Sequence, residues 1–399
     1  MLSGLRESPS YRHLPAAGQG VLLPNGVLYA GGGRLFYGRA VSGTPVTGSL
    51  SPATTITPPP TPKPTPGTPR PSVTPAPTTG WTGITGIAKL AGGPTGATSI
   101  TRWKGGYIAL RNAPASGGLL TAWTSPDGKT WATIPDGTFG KATSAVCAQD
   151  ADQVVIATWN GENHVWVSTD GLNWAKAPNG DPPIGDRPMV GNSWGMVAIM
   201  DDPQYHLTFG LDWNMSTLLG ADVNSVQDVA VAGDRFVAVG HLTTSDGSTK
   251  PAAWWSDDGT TWTAATVDSA PGDGFTTVAA GRGGYVATSS ATGSGGGSGA
   301  FWTSTDGQAW HKASAMGPFP GAAIFTGDGT RILGWGLGSD GKMQFWVSPD
   351  GQNWTRLALS GDTASILAAG AGVRPFLTDN GVLFVTADGA WFGSYSAQT

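Results

Sequence analysis

A seven-residue phrase, Ser-x-Asp-Gly-x-x-Trp, recurs five times in this chain, at residues 125–131, 168–174, 256–262, 304–310 and 348–354. A sixth copy, 207–213, keeps Gly210 and Trp213 but has Phe209 where the aspartate belongs. The six tryptophans follow one another at 43, 39, 49, 48 and 44 residues, which is the period of one blade of a β-propeller. Asp-Gly between apolar runs is a strong hairpin signal: glycine accepts positive φ, and the carboxylate accepts hydrogen bonds from the turn amides. Before each complete copy lies an apolar run holding Trp123, Trp166, Trp254, Trp302 or Trp346. Upstream of each hairpin come two more strand-like runs, such as 144–147 and 154–157 in the second unit. The expected unit is therefore four antiparallel strands, A to D, with the Asp-Gly turn joining C to D and the indoles packed between neighbouring units.

The expected fold is all-β, a seven-bladed β-propeller of four-stranded antiparallel blades over residues 80–399. Its last blade is assembled from both ends of that region, with 382–385 and 390–393 flanking Asp388-Gly389 and the segment 80–84 supplying a D strand. This pairing closes the ring and hides two open sheet edges. A rival assignment makes Asp388-Gly389 a truncated C-to-D turn and leaves Trp81 outside.

These segments resemble the Asp-box, or BNR, repeats of sialidases and several other propeller families, in a shorter variant with no residue between Asp and Gly. The resemblance covers about 300 residues. It implies a fold and not an activity, because enzymes and non-enzymes share the turn. In that reading Asp127, Asp170, Asp258, Asp306 and Asp350 are structural. The resemblance also implies that the C-to-D and A-to-B turns lie on one face. The D-to-A and B-to-C loops then surround the channel mouth on the other, where propeller active sites are found.

Residues 44–79 are dominated by Pro, Thr and Ser, with Lys63 and Arg70 the only charges. Such a stretch cannot bury enough apolar surface to fold, and it is expected to be a disordered, stiff spacer. Ser/Thr/Pro-rich stalks are a signature of surface proteins, so a cell-envelope or extracellular location, tethered or exported, is expected. Residues 1–43 read as a poorly ordered segment, a degenerate anchor or a kelch-like fragment with two strands around Pro24-Asn25-Gly26. It is too polar for a membrane span.

Net charge is −5 and no Lys/Arg run forms a basic stripe, so nucleic acid is not an expected partner. Only 12% of residues are charged, which suits tight turns and stacked aromatics. The single cysteine, Cys147, excludes an intrachain disulfide and reads as a small buried hydrophobe. The five histidines show no ligand-spaced pair, so no metal and no cofactor are expected. A monomer is expected.

A sialidase-type site, as the resemblance implies it, needs three arginines on a substrate carboxylate, a Tyr activated by a Glu, and an Asp acid/base. Arg102, Arg235, Arg282 and Arg331 fall at or beside A-to-B turns, on the wrong face. Were the chain an enzyme, it would be a glycoside hydrolase using Glu162, Tyr205, Asp201, Arg111 and Arg187, with Asp202 beside Asp201 as a possible second carboxylate. For binding, the loop-face candidates are Trp159, Asn160, His164, His241, Trp335 and Phe275, with Phe319 in another D-to-A loop. Aromatic faces beside a few oriented polar groups suit sugar or peptide recognition. The leading expectation is a non-catalytic, surface-displayed propeller that binds a glycan or protein at its channel-mouth face. The alternatives are a divergent sialidase-like hydrolase and a structural or assembly factor.

Overall fold

The computed structural model describes residues 20–23, 26–31, 34–39, 81–112, 118–184, 187–202, 205–218, 225–268, 273–291, 300–313, 323–338 and 342–397. The chain separates into two compact units, Met1–Lys63 and Pro64–Thr399. In the first, strands Gly20–Leu23, Gly26–Gly31 and Arg34–Arg39 form a three-stranded antiparallel sheet. The first two strands pair on either side of residues 24–25, which lie outside the described residues. The spacer over 44–79 lies outside the described residues.

The second unit is a seven-bladed β-propeller. Blade 2 shows the pattern: strands Ser144–Asp150, Gln153–Trp159, Asn163–Ser168 and Ala175–Lys176 pair antiparallel in chain order. Blades 1, 3, 4, 5 and 6 repeat it over 99–133, 189–216, 226–264, 273–312 and 323–356.

Each Ser-x-Asp-Gly turn is a small hydrogen-bonded knot. In blade 1 the Gly128 amide donates to Ser125 Oγ at 2.8 Å, and the amides of Lys129 and Thr130 donate to Asp127 Oδ1 at 2.8 and 2.7 Å. The Trp131 indole N–H donates to the Gly128 carbonyl at 3.0 Å. The same indole bond recurs at Trp262, Trp310 and Trp354. Partial burial opposes ionisation of Asp127, Asp258, Asp306 and Asp350, but the amide bonds outweigh it and hold all four carboxyls below the usual range. The glycine has a second duty. Gly351 sits at φ +78, and a Cβ there would meet Val286 of the preceding blade at 2.3 Å. The turn thus doubles as a wedge against its neighbour.

Seven apolar clusters fill the seven seams between blades. Trp302 and Trp310 pack on Val237, Val239 and Ala253 of blade 4. Trp123 and Trp131 pack on Leu383, Val385 and Phe392 of blade 7. The seams of blades 1/2, 2/3, 3/4, 5/6 and 6/7 are filled likewise. A buried aromatic side chain removes roughly 150–250 Å² from water, worth about 4–6 kcal/mol at about 25 cal/mol per Å². Stacked indoles therefore hold the ring without disulfides. Cys147 is buried in the seam of blades 1 and 2, and burial pushes its thiol up to about 12.

Blade 7 closes the circle from both ends of the unit. Strands Arg374–Thr378, Gly381–Thr386 and Gly389–Ala397 form A to C, and Trp81–Lys89 pairs antiparallel with the last of them as strand D. Asp388-Gly389 is accordingly a B-to-C turn, and the rival assignment falls. With C and D drawn from opposite ends of the chain, blade 7 has no C-to-D turn. A stack replaces it: the Trp81 and Tyr395 rings lie 3.7 Å apart at 13°, and the Arg331 guanidinium sits 4.1 Å over Trp81. Arg331 also donates to the Thr378 carbonyl at 2.9 Å and to Asp328 Oδ2 at 2.6 Å. Two short segments, Thr266–Val267 and Ala358–Gly361, add parallel fifth strands outside blades 5 and 7.

Candidate ligand-binding face

Because the four strands alternate in direction, A-to-B and C-to-D turns share one end of every blade, and B-to-C and D-to-A loops share the other. The turn face is tied together around the axis. Arg102 meets Asp379 at 3.0 Å, Lys104 meets Asp152 at 3.1 Å, and Asn192 donates to the Gly233 carbonyl at 2.8 Å. Arg235 grips both oxygens of Asp257 at 2.7 and 2.9 Å and reaches the Asp306 carbonyl. Gly329 of blade 6 reaches past blade 5: a Cβ on it would lie 2.8 Å from the Val231 carbonyl of blade 4. Arg102, Arg235 and Arg331 serve the scaffold at this end.

On the loop face, blade 2 carries the most prominent group. Trp159 ends strand B with 37% of its surface exposed. It pairs with Ser144 on one side and Asn163 on the other, so these three side chains point to the same side of the sheet. That side faces blade 3, since Ala157 and Val165 two residues away pack on Met189 and Ala198. Ser144 is buried, and its hydroxyl has no partner among the described residues.

His164 points to the opposite side of the same sheet. Its Nδ1 lies 3.1 Å from Asp181 Oδ2 and its Nε2 lies 3.9 Å from Glu162. Asp181 Oδ1 accepts the Val165 amide at 2.7 Å, and Lys176 Nζ stands 3.9 Å from Asp181 Oδ2 and 4.7 Å over the Trp166 ring. Asn160 is spent on the loop itself, donating to the Lys141 carbonyl and accepting the Glu162 amide.

Two expected loop residues are corrected. Phe275 is 1% exposed in the inner strand of blade 5, edge-on to Trp302 at 5.0 Å. Trp335 is 5% exposed in strand B of blade 6, inside the seam with blade 7. Both apolar runs extend further than their flanking glycines suggested, so the strands absorb the aromatics. His241 also lies within a strand; it is half-buried, with its amide on the Ser225 carbonyl. Phe319 lies outside the described residues.

The hydrolase candidates each make contacts of their own. Arg187 directs Nη2 at the Val226 carbonyl at 2.6 Å, and its buried Nε has no partner among the described residues. Arg111 binds Thr121 Oγ1 at 3.2 Å and stacks 5.6 Å from Trp123. The Tyr205 amide is held by Asp202 Oδ1, and Asp201 is exposed with its amide on the Pro183 carbonyl. No hydrogen bond joins Glu162 to Tyr205 or to Arg187 among the described residues. Nor do three His, Cys, Asp or Glu side chains gather as metal ligands there.

The sequence reading passed over Ser144, Asp181 and Asp228. Asp228 interrupts the apolar alternation of Val226–Ala232, which was the available signal. It sits at a bulge in the inner strand of blade 4, accepting the Val229 amide on Oδ1 and the Val278 amide of blade 5 on Oδ2, both at 2.9 Å. Burial pushes its carboxyl up to about 7, against the opposite pull of those amides. Some accessible surface remains, as suits an inner strand. Asn112 and Ser99 treat blade 2 similarly, accepting the amides of Ala145 and Cys147.

No family model and no curated protein matches the chain. Among solved structures, apo AztD from Citrobacter koseri is 13% identical at a TM-score of 0.41, covering 75% of this chain and 90% of its own. A fucose-specific lectin from Aleuria aurantia is 14% identical at a TM-score of 0.40, covering 66% and 97%. The computationally designed Ika8 protein is 14% identical at a TM-score of 0.39, covering 77% and 98%. At these TM-scores the likenesses do not bear on what this chain binds.

Proposed function

We propose that the chain is a non-catalytic, surface-displayed propeller of the sialidase-like Asp-box superfamily that binds a glycan through its loop face. One observation carries the reading: an exposed indole, Trp159, stands at the loop end of its strand beside the half-buried Asn163 side chain. An indole face covers the apolar C–H face of a sugar ring, and oriented hydroxyl and amide groups bond its hydroxyls. Glu162, Tyr205, Asp201, Arg111 and Arg187 share no hydrogen bond with one another among the described residues, which favours binding over hydrolysis.

The test is a glycan array with the full chain and with Trp159→Ala. A ligand bound by the parent and weakened at least tenfold in the variant, with unchanged thermal unfolding, is the expected result. Turnover of a fluorogenic glycoside by the parent, or binding indifferent to Trp159, would overturn the reading.

A further inference from the structure

The outer end of the seam between blades 6 and 7 holds a cavity of about 420 Å³, within the roughly 300–1,000 Å³ range of small-molecule sites. It opens because the chain leaves blade 6 after Thr355–Arg356 and crosses to blade 7 as Ala358–Gly361, on the far side of Trp81–Lys89. The crossing takes the chain off the outer edge of strand C of blade 6 at Phe345, whose carbonyl accepts the Leu357 amide. Met343, Phe345, Leu357 and Leu359 line the opening, and Leu367 from the short helix Ala364–Ala368 overhangs it.

Two further observations define what would fit. First, exposed large apolar side chains collect at this seam. Leu337 (53% exposed) pairs across strands with Met343 of the cavity wall, Ile324 (47%) lies diagonal to Leu337 on the same side of the sheet, and Leu367 is 36% exposed. These form an apolar strip that leads from the inner strand outward to the cavity. Second, the lining includes two cations, Lys342 and Arg356, and no acidic residue among the described residues, in a chain of which only 12% is charged.

We propose that this seam binds an alkyl amphiphile with one anionic head group, its chain along the Ile324–Leu337–Met343 strip and cavity, and its head against Lys342 and Arg356. Apolar length alone would suit any hydrophobe; the paired cations select the anion. Carboxylate and phosphate heads share this chemistry, and Arg356 offers either a planar fork.

The experiment is calorimetric titration of the full chain, below micelle concentrations, with decanoate, decyl phosphate and decyltrimethylammonium. One-to-one binding of at least one anion, with the cationic amphiphile at least tenfold weaker, is expected. The preferred anion identifies the head group. Lys342→Gln/Arg356→Gln should weaken anion binding at least tenfold at an unchanged melting temperature, since both side chains are exposed. Leu337→Asp is the second variant and should also weaken it. Absence of binding by both anions, equal binding of the cationic amphiphile, or affinity unchanged in the double variant would overturn the proposal.

Discussion

Two kinds of aspartate do opposite work in this molecule. The turn aspartates are exposed enough to stay charged and are rewarded by amides, whereas Asp228 is enclosed and resists charge. Its folded pKa lies above the ordinary carboxylate value of about 3.9. The folded state therefore holds this proton more tightly, and the stability it contributes is full below about pH 4 and lost as pH rises through about 7. Asp228→Asn, which cannot ionise but faces one backbone amide with its own N–H₂, is expected to be less stable than the parent at pH 5. The gap should narrow by pH 8, as read from urea unfolding midpoints. A gap that stays constant between those pH values would show that the two amides, and not burial, govern the group. Asp228 was not singled out from the sequence, because one polar letter in an apolar alternation does not reveal that a neighbouring inner strand has a bare amide to fill.

The Ser-x-Asp-Gly hairpin is the element that the sequence made plain, because its chemistry is local: one turn, one carboxylate and one indole within seven residues. Its wedge role was not legible, since the atoms that crowd Gly351 belong to another blade. The same limit explains Phe275 and Trp335. Glycine positions suggest loop ends there, but tertiary packing carries the strands onward and buries both rings. The turns carry their own pH signature. Their carboxyls are held below the ordinary range, so their contribution is present above about pH 4 and lost as acid titrates them. Asp350→Asn should unfold about 1–2 kcal/mol more easily at pH 7, a gap expected to close toward pH 2. A constant gap across that range in paired denaturation curves would assign the turn's strength to shape and not to charge.

At the scale of the whole ring, period and blade count followed from tryptophan spacing, and closure followed from two leftover half-hairpins. Which loop residues meet at the mouth did not follow. That depends on how far each B-to-C and D-to-A segment reaches over its neighbours, and no local pattern encodes it. Closure rests on the ladder between Trp81–Lys89 and Gly389–Ala397, and Arg331 reinforces it by joining blade 6 to the Thr378 carbonyl and to the Trp81 and Tyr395 rings of blade 7. Arg331→Ala is expected to cost about 2–3 kcal/mol and to raise hydrogen exchange in Trp81–Lys89 and Gly389–Ala397 before other blades respond. Uniform loss of protection in all seven blades would mean that the ring opens only as one unit.

Trp81–Lys89 runs from the turn face to the loop face, hydrogen-bonded along its length to Gly389–Ala397 and flanked by Ala358–Gly361. A pull on the N-terminal side of Trp81, resisted by a ligand gripped at the far end, loads that strand lengthwise. Its ladder bonds must then slip together instead of parting one by one. The seam that looks weakest on paper is thus arranged to behave, under tension, as a shear joint.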